Sequence, residues 1–115
     1  MTRGERGEEL AAAYFIKEGY AVTGRNVRSR YGEIDLIAEK DGIAVFVEVK
    51  LRKDKSFAEA REFVDARKQE KIRTTALVWL ARKKNRDKQG RFDVIEIYAA
   101  GDTVHEINHL ENAFE

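Results

Sequence analysis

The chain contains no cysteine and no proline. Without thiols there is no disulfide framework, no thiolate zinc site and no cysteine nucleophile, which fits a protein kept in the cytoplasm. Without proline, regular elements must be joined by glycine-containing turns. No apolar run is long enough to span a bilayer and no signal-peptide pattern is present, so a soluble protein without a membrane partner is expected. Histidine is scarce too, with only His105 and His109. On a helix that spacing would put both rings on one face, but on a strand about 13 Å separates them. Two ligands make no zinc site in either case, so surface or hydrogen-bonding roles are expected.

What is present is a chain of 115 residues with 22 Lys/Arg against 21 Asp/Glu. That length suits a single domain burying roughly two-thirds of its unfolded surface. The near-zero balance hides an uneven distribution: residues 67–91 carry ten Lys/Arg and two acids, whereas residues 92–115 carry six acids and no Lys or Arg. A polyanion would bind the first stretch and be repelled by the second, so a nucleic-acid footprint should be one-sided. The alternative reading of the 82–88 run is a solvated helix face.

Thr2-x-x-Glu5 has the form of a capping box opening a helix, with Gly19 at its far end and Leu10, Ala11, Tyr14 and Phe15 as its apolar stripe. Tyr20 to Arg28 reads as a first strand, Tyr31-Gly32 as a turn, and 33–40 and 43–51 as two further strands. Residues 52–64 resist assignment, with Lys53 to Ser56 loop-like. Asp65 should cap a helix running to about residue 84, whose Ile72, Ala76, Trp79 and Leu80 pack on the sheet. Leu77 lies off that stripe, where it offers a homodimer contact. A fourth strand is expected over Phe92 to Tyr98 and a short fifth over Thr103 to Ile107. The order is α-β-β-β-α-β with an edge strand. The helix between strands three and four is a crossover and should make them parallel. The fold class is therefore α/β, a mixed sheet flanked by helices.

The most informative stretch is Gly32 to Arg52. Asp41-Gly42 between apolar runs signals a type I′ hairpin turn. If those two residues form the loop, Asp35 faces Glu48 and Glu33 faces Lys50. By alternation Asp35, Glu48 and Lys50 share one face, while Ile34, Leu36 and Ala38 join Val45, Val47 and Val49 on the other. Like charges opposite each other on a sheet repel. A raised pKa or a divalent cation offsets that repulsion. The alternative is a solvated face, but Ile37 and Phe46 continue the same face as apolar. Asp35 and Glu48 are thus candidate Mg²⁺ ligands, with the Val49 carbonyl as a further oxygen and Mn²⁺ as a substitute. Oxygen donors without thiolate favour Mg²⁺ over Zn²⁺. Lys50 is placed to contact a scissile phosphate or orient water; its alternative is a cross-strand pair with Glu33.

The element order, with Asp35 on the second strand and Glu48-x-Lys50 on the third, resembles the restriction-endonuclease-like PD-(D/E)xK nuclease core. The chain as a whole resembles the YraN-type family of small bacterial predicted nucleases. The matching stretches are Gly7-Glu8, Gly32 to Ile37, Phe46 to Lys50 with Arg52, Val64 to Gln69, Arg91 to Val94 and His109 to Phe114. Ile34 stands where the superfamily has proline, and Ala58 where the family has glycine. The resemblance implies a fold similar to archaeal Holliday-junction resolvases. It also implies a Mg²⁺-dependent endonuclease on DNA, with branched or damaged DNA as the substrate class. It makes Glu8, four residues after Gly4, a candidate to close the metal site from the first helix, the alternative being an acid favoured near a helix N-terminus. Lys68 and Gln69 are candidates to reach the same pocket. Arg25, Arg28, Arg30, Arg52 and Lys53 surround the polar hairpin end as phosphate-contact candidates. The competing function is a non-catalytic nucleic-acid-binding or partner-recruiting domain that retains this fold.

Overall fold

A computed structural model describes residues 1–53 and 64–115. The loop-like reading of Lys53 to Ser56, apart from Lys53 itself, and the Ala58 position lie outside the described residues. The elements are α1 (Arg3–Lys17), β1 (Ala21–Arg28), β2 (Glu33–Lys40), β3 (Ile43–Arg52), α2 (Ala66–Leu80), β4 (Gln89–Ala100) and β5 (Thr103–Phe114). The five strands form one sheet in the order β1-β2-β3-β4-β5, with β3 and β4 parallel and the other neighbours antiparallel. The α-β-β-β-α-β order and the mixed sheet between helices are as the sequence predicts.

Each helix covers one face. Ala11, Ala12 and Phe15 of α1 pack on Leu36, Ala38, Val45, Val47, Ile95 and Ile97. On the opposite face Ile72, Ala76 and Trp79 of α2 pack on Ile37, Ala44, Phe46 and Val94. The α1 start is fixed by reciprocal Thr2–Glu5 capping, and the α2 start by the Asp65 carboxylate accepting from the Lys68 N–H. Asp41 and Gly42 have φ of 52° and 79°, the positive pair a type I′ turn needs. The resulting ladder runs from Lys40↔Ile43 to Leu36↔Val47 in the expected register.

Four local expectations are corrected. α2 stops at Leu80 instead of continuing to about 84, because Arg82 is extended and the buried Asn85 amide donates to the Trp79 carbonyl at 2.8 Å. A 3₁₀ turn at Lys83–Asn85 follows. β4 and β5 are both longer than expected, running to Ala100 and Phe114, because they pair along nearly their full length as a hairpin. Bulges at Phe92/Val94 and Tyr98/Ala99 break the period-two pattern, which is why alternation alone ended them early. Finally, Ile34 packs under α2 with Ile37 and Phe46, and not with Leu36 on the α1 face. Glu33 accordingly lies beside Arg28 of β1, 3.6 Å away, and the expected Glu33–Lys50 pairing is not formed.

Candidate active site

The change of face at Ile34 shapes the site. β1 carries the matching irregularity. Arg25 pairs with Leu36 and Val27 with Ile34, so Asn26 sits opposite Asp35, and Asn26 has φ of 48°. Val27 then joins the α2-side cluster beside Ile34. Asp35 therefore stands where two strands twist together, just past the last β2–β3 ladder pair. It borders a cleft of about 510 Å³ on the α2 side, shared with Glu33, Glu48, Arg67, Lys68 and Lys71. It also borders one of about 320 Å³ on the α1 side, shared with Arg3, Glu8, Val49 and Leu51.

Glu48 is the more buried of the two hairpin acids, its side chain only 8% exposed. β3 keeps its alternation, so Glu48 points to the α2 side with Phe46, and Lys50 follows on the same face. Asp35 and Glu48 border the same cleft, and the Val49 N–H donates to Asp35 Oδ2 at 2.9 Å. Burial, then the neighbouring Glu48 carboxyl, push the Asp35 carboxyl from an ordinary 3.8 up to about 7, against the opposing pull of the Val49 N–H and Lys68. The expected conflict between two acids is thus resolved in two ways: Asp35 tends to hold a proton, and Lys68 Nζ lies 3.0 Å from Glu48 Oε2. A divalent cation would do the work of both.

Glu8 reaches toward Asp35 from α1, its approach permitted by Gly7, where a Cβ would meet the Leu51 Cβ at 3.3 Å. Its Oε1 accepts from the Asn26 amide at 2.6 Å. Burial raises the Glu8 carboxyl, the Asn26 amide pulls it back, and the charges of Asp35 and Glu33 add to the rise. Among the described residues no three His, Cys, Asp or Glu side chains converge as a metal-binding group. Glu8 is therefore held beside Asp35 by Asn26 and does not complete a three-acid cluster with Glu48.

The basic candidates divide. Lys68 enters the cleft, with Arg67 and Lys71 beside it. Lys50 lies alongside Glu96 of β4 in the parallel register. Arg25 is ion-paired to Glu9 at 3.0 Å, Arg28 lies near Glu33, and the Arg30 guanidinium lies over the Tyr31 ring. Arg52 is half-buried at the end of β3, beside Tyr98 in register. Lys53 borders a separate cleft with Arg3 and Arg6. Asp35, Glu48 and Lys68 thus come together in one cleft, with Lys50 two residues along the strand from Glu48. The five remaining cations do not line that cleft.

Two features escaped the sequence reading. Asn26 carried no signal beyond being an asparagine inside a strand, the residue type that tolerates positive φ. The second is a buried network around Asp93, which is fully buried and accepts from Arg91 Nε and Nη2 at 2.9 Å, from the Asn112 N–H at 3.0 Å and from His109 Nε2 at 2.6 Å. The Tyr14 hydroxyl meets His109 Nδ1 at 3.1 Å. His109 is therefore a hydrogen-bonding residue, as expected, while His105 is exposed on the same strand. The Arg91-x-Asp93 spacing was visible, but its partners come from α1 and β5, which local patterns cannot connect.

The model of a family described as "Uncharacterised protein family UPF0102" matches residues 7–97. A UPF0102 protein of Pelobacter propionicus is 43% identical over 97% of this chain and 81% of its own length. Another, of Caldanaerobacter subterraneus, is 43% identical over 98% of this chain and 94% of its own. A third, of Geobacter sulfurreducens, is 43% identical over 97% and 88% respectively.

Proposed function

The chain belongs to the uncharacterised protein family UPF0102, and from the site it carries we propose that it is a Mg²⁺-dependent endonuclease of the PD-(D/E)xK type acting on DNA. The observation that carries this reading is the pairing of half-buried Asp35 with buried Glu48. Two carboxyls lie together at the end of a ladder, one of them pushed up to about 7, inside a cleft that Arg67, Lys68 and Lys71 also line, with Glu33 and Asp65. A purely structural acid pair would be costly to retain there, whereas converging oxygens at low exposure suit a hard divalent cation.

In this reading Asp35 and Glu48, with the Val49 carbonyl, would hold the ion. When bound, the ion supplies a Lewis acid and a more acidic water for in-line attack on a phosphodiester. Asp35 must release its proton to act as a ligand, so affinity for the ion rises with pH through about 7. Lys50 directs its ammonium at a non-bridging phosphate oxygen, offsetting charge that builds there during attack. The α2 cations align the DNA backbone, and branched or damaged DNA is the proposed substrate class. The lack of a third converging acid among the described residues favours the competing reading, a DNA-binding domain that recruits partners and does not cut.

Incubating the protein with duplex, flap, four-way-junction and single-stranded DNA in Mg²⁺, Mn²⁺ or EDTA separates the two. The endonuclease reading expects cutting that needs the ion and falls at least about a hundredfold in Asp35→Asn and Lys50→Ala, the loss typical of removing a group that stabilises transition-state charge. Cutting that survives both substitutions would come from a contaminant. Binding without cutting under every condition would transfer the proposal to the recruiting domain.

A further inference from the structure

Resting on that metal-dependent reading, we propose that Lys68 is an exchangeable counter-ion. It occupies Glu48 in the metal-free protein, and on metal binding it is released into the α2-side cleft, where it forms a phosphodiester-binding subsite with Arg67 and Lys71.

Three observations support this. The first is an asymmetry of burial across the ion pair: the Glu48 side chain is 8% exposed and that of Lys68 is 48% exposed, with 3.0 Å between Nζ and Oε2. The carboxylate is fixed in the sheet, and the ammonium sits on a long flexible stem that reaches in from solvent. The second is that the Lys68 backbone is anchored independently of its side chain. Its N–H donates to the Asp65 cap at 2.9 Å, so leaving Glu48 does not unwind the helix. The third is that, among the described residues, no ion pair gives a carboxylate partner to Arg67 or Lys71, which border the same cleft. The destination of Lys68 already holds two cations, Arg67 and Lys71, alongside Glu33 and Asp65, and an arriving phosphate supplies the negative charge that a third cation would pair with.

A divalent ion held by Glu48 would compete with the ammonium now 3.0 Å from the same carboxylate. The two cations cannot share that carboxylate without strong repulsion in a site this buried. The ammonium is the mobile partner, so it leaves. A phosphate in the cleft then gains a third cation. By linkage, metal strengthens DNA binding and DNA strengthens metal binding by the same factor.

Mn²⁺ titrations by calorimetry, and Ca²⁺-dependent binding of a fluorescent duplex DNA, test this without relying on turnover. Wild type, Lys68→Gln, Lys68→Arg and Asp35→Asn are compared. Gln keeps a hydrogen-bond donor for Glu48 but removes the charge, and Arg keeps the charge. The expected result is Mn²⁺ binding several-fold tighter in Lys68→Gln than in wild type, with Lys68→Arg close to wild type. Ca²⁺ should strengthen DNA binding in wild type and do so much less in Lys68→Gln. If wild type binds Mn²⁺ and Lys68→Gln binds it equally or more weakly, Lys68 is a fixed ion pair and the inference is overturned while the metal site stands. If neither wild type nor Lys68→Gln binds Mn²⁺, the metal-dependent reading falls and takes this inference with it.

Discussion

At the scale of single residues, Asn26 does two jobs that can be pulled apart. It holds φ of 48° in the middle of a strand, a conformation costing a residue with Cβ about 1–2 kcal/mol unless its side chain helps locally. Its amide also fixes Glu8 Oε1 at 2.6 Å beside Asp35. Asn26→Gly keeps the backbone and loses the amide, whereas Asn26→Ala loses both. Ala should therefore unfold at a lower denaturant midpoint than Gly, by roughly 1 kcal/mol. If the amide places Glu8 for function, both variants should lose metal-dependent activity to a similar extent. Activity that follows only the stability difference would reduce Asn26 to a backbone device.

At the scale of elements, legibility followed how local the governing interaction is. The hairpin register was readable because Asp41-Gly42 demands one turn type, and that turn sets every later pair up to Leu36↔Val47. Beyond that pair the outcome depends on β1, where the Asn26 irregularity turns Ile34 to the other face. No pattern within β2 announces that. The end of α2 depends on an Asn85 side chain reaching back to Trp79, and β5 gains its length from bulged pairing with β4. The site acids were legible because both lie near one hairpin; Lys68 was readable as a candidate only, since its approach depends on how α2 docks. That docking has a visible contact point at Gly32, where a Cβ would meet the Lys71 Cβ at 3.0 Å and the Lys71 carbonyl at 3.2 Å. Gly32→Ala should therefore push the α2 backbone away from β2. Overpacking of this kind typically costs about 1–3 kcal/mol, measurable by denaturant unfolding. Lys68 would retreat from Glu48 with the helix, so Mn²⁺ affinity should change without any change in charge. A variant with unaltered stability would mean that the helix absorbs the methyl group locally.

At the scale of the whole molecule, half-buried Asp35 and fully buried Asp93 give stability opposite dependences on pH. Asp35, whose carboxyl is pushed up to about 7, binds a proton in the folded state that the unfolded chain has already lost. Its contribution is full below about pH 4 and disappears as pH rises through about 7. Glu8, also raised, acts in the same direction. Asp93 behaves in reverse. Burial alone would raise its carboxyl, but hydrogen bonds from His109, Arg91 and the Asn112 N–H outweigh burial and hold it below 3.8. Its contribution is present above about pH 4 and is lost as pH falls below that. With chelator present, the melting temperature should therefore pass through a maximum on the acid side of neutrality. Asp35→Asn mimics the protonated carboxyl, since its amide can still donate to Glu48 and its oxygen still accept the Val49 N–H. That variant should melt several degrees above wild type at pH 8 and match it near pH 4. The scale follows from about 1.4 kcal/mol per pKa unit and roughly 4–8 °C per kcal/mol for a small domain. Asp93→Asn should flatten the acid limb instead and lose about 3 kcal/mol at neutral pH, because it breaks a buried ion pair. Mn²⁺ should restore the alkaline limb of wild type and Asp93→Asn but leave Asp35→Asn unchanged. Calorimetry from pH 3 to 9 on the three proteins reads all of this. An alkaline decline that persists in Asp35→Asn would place its origin outside the hairpin acids.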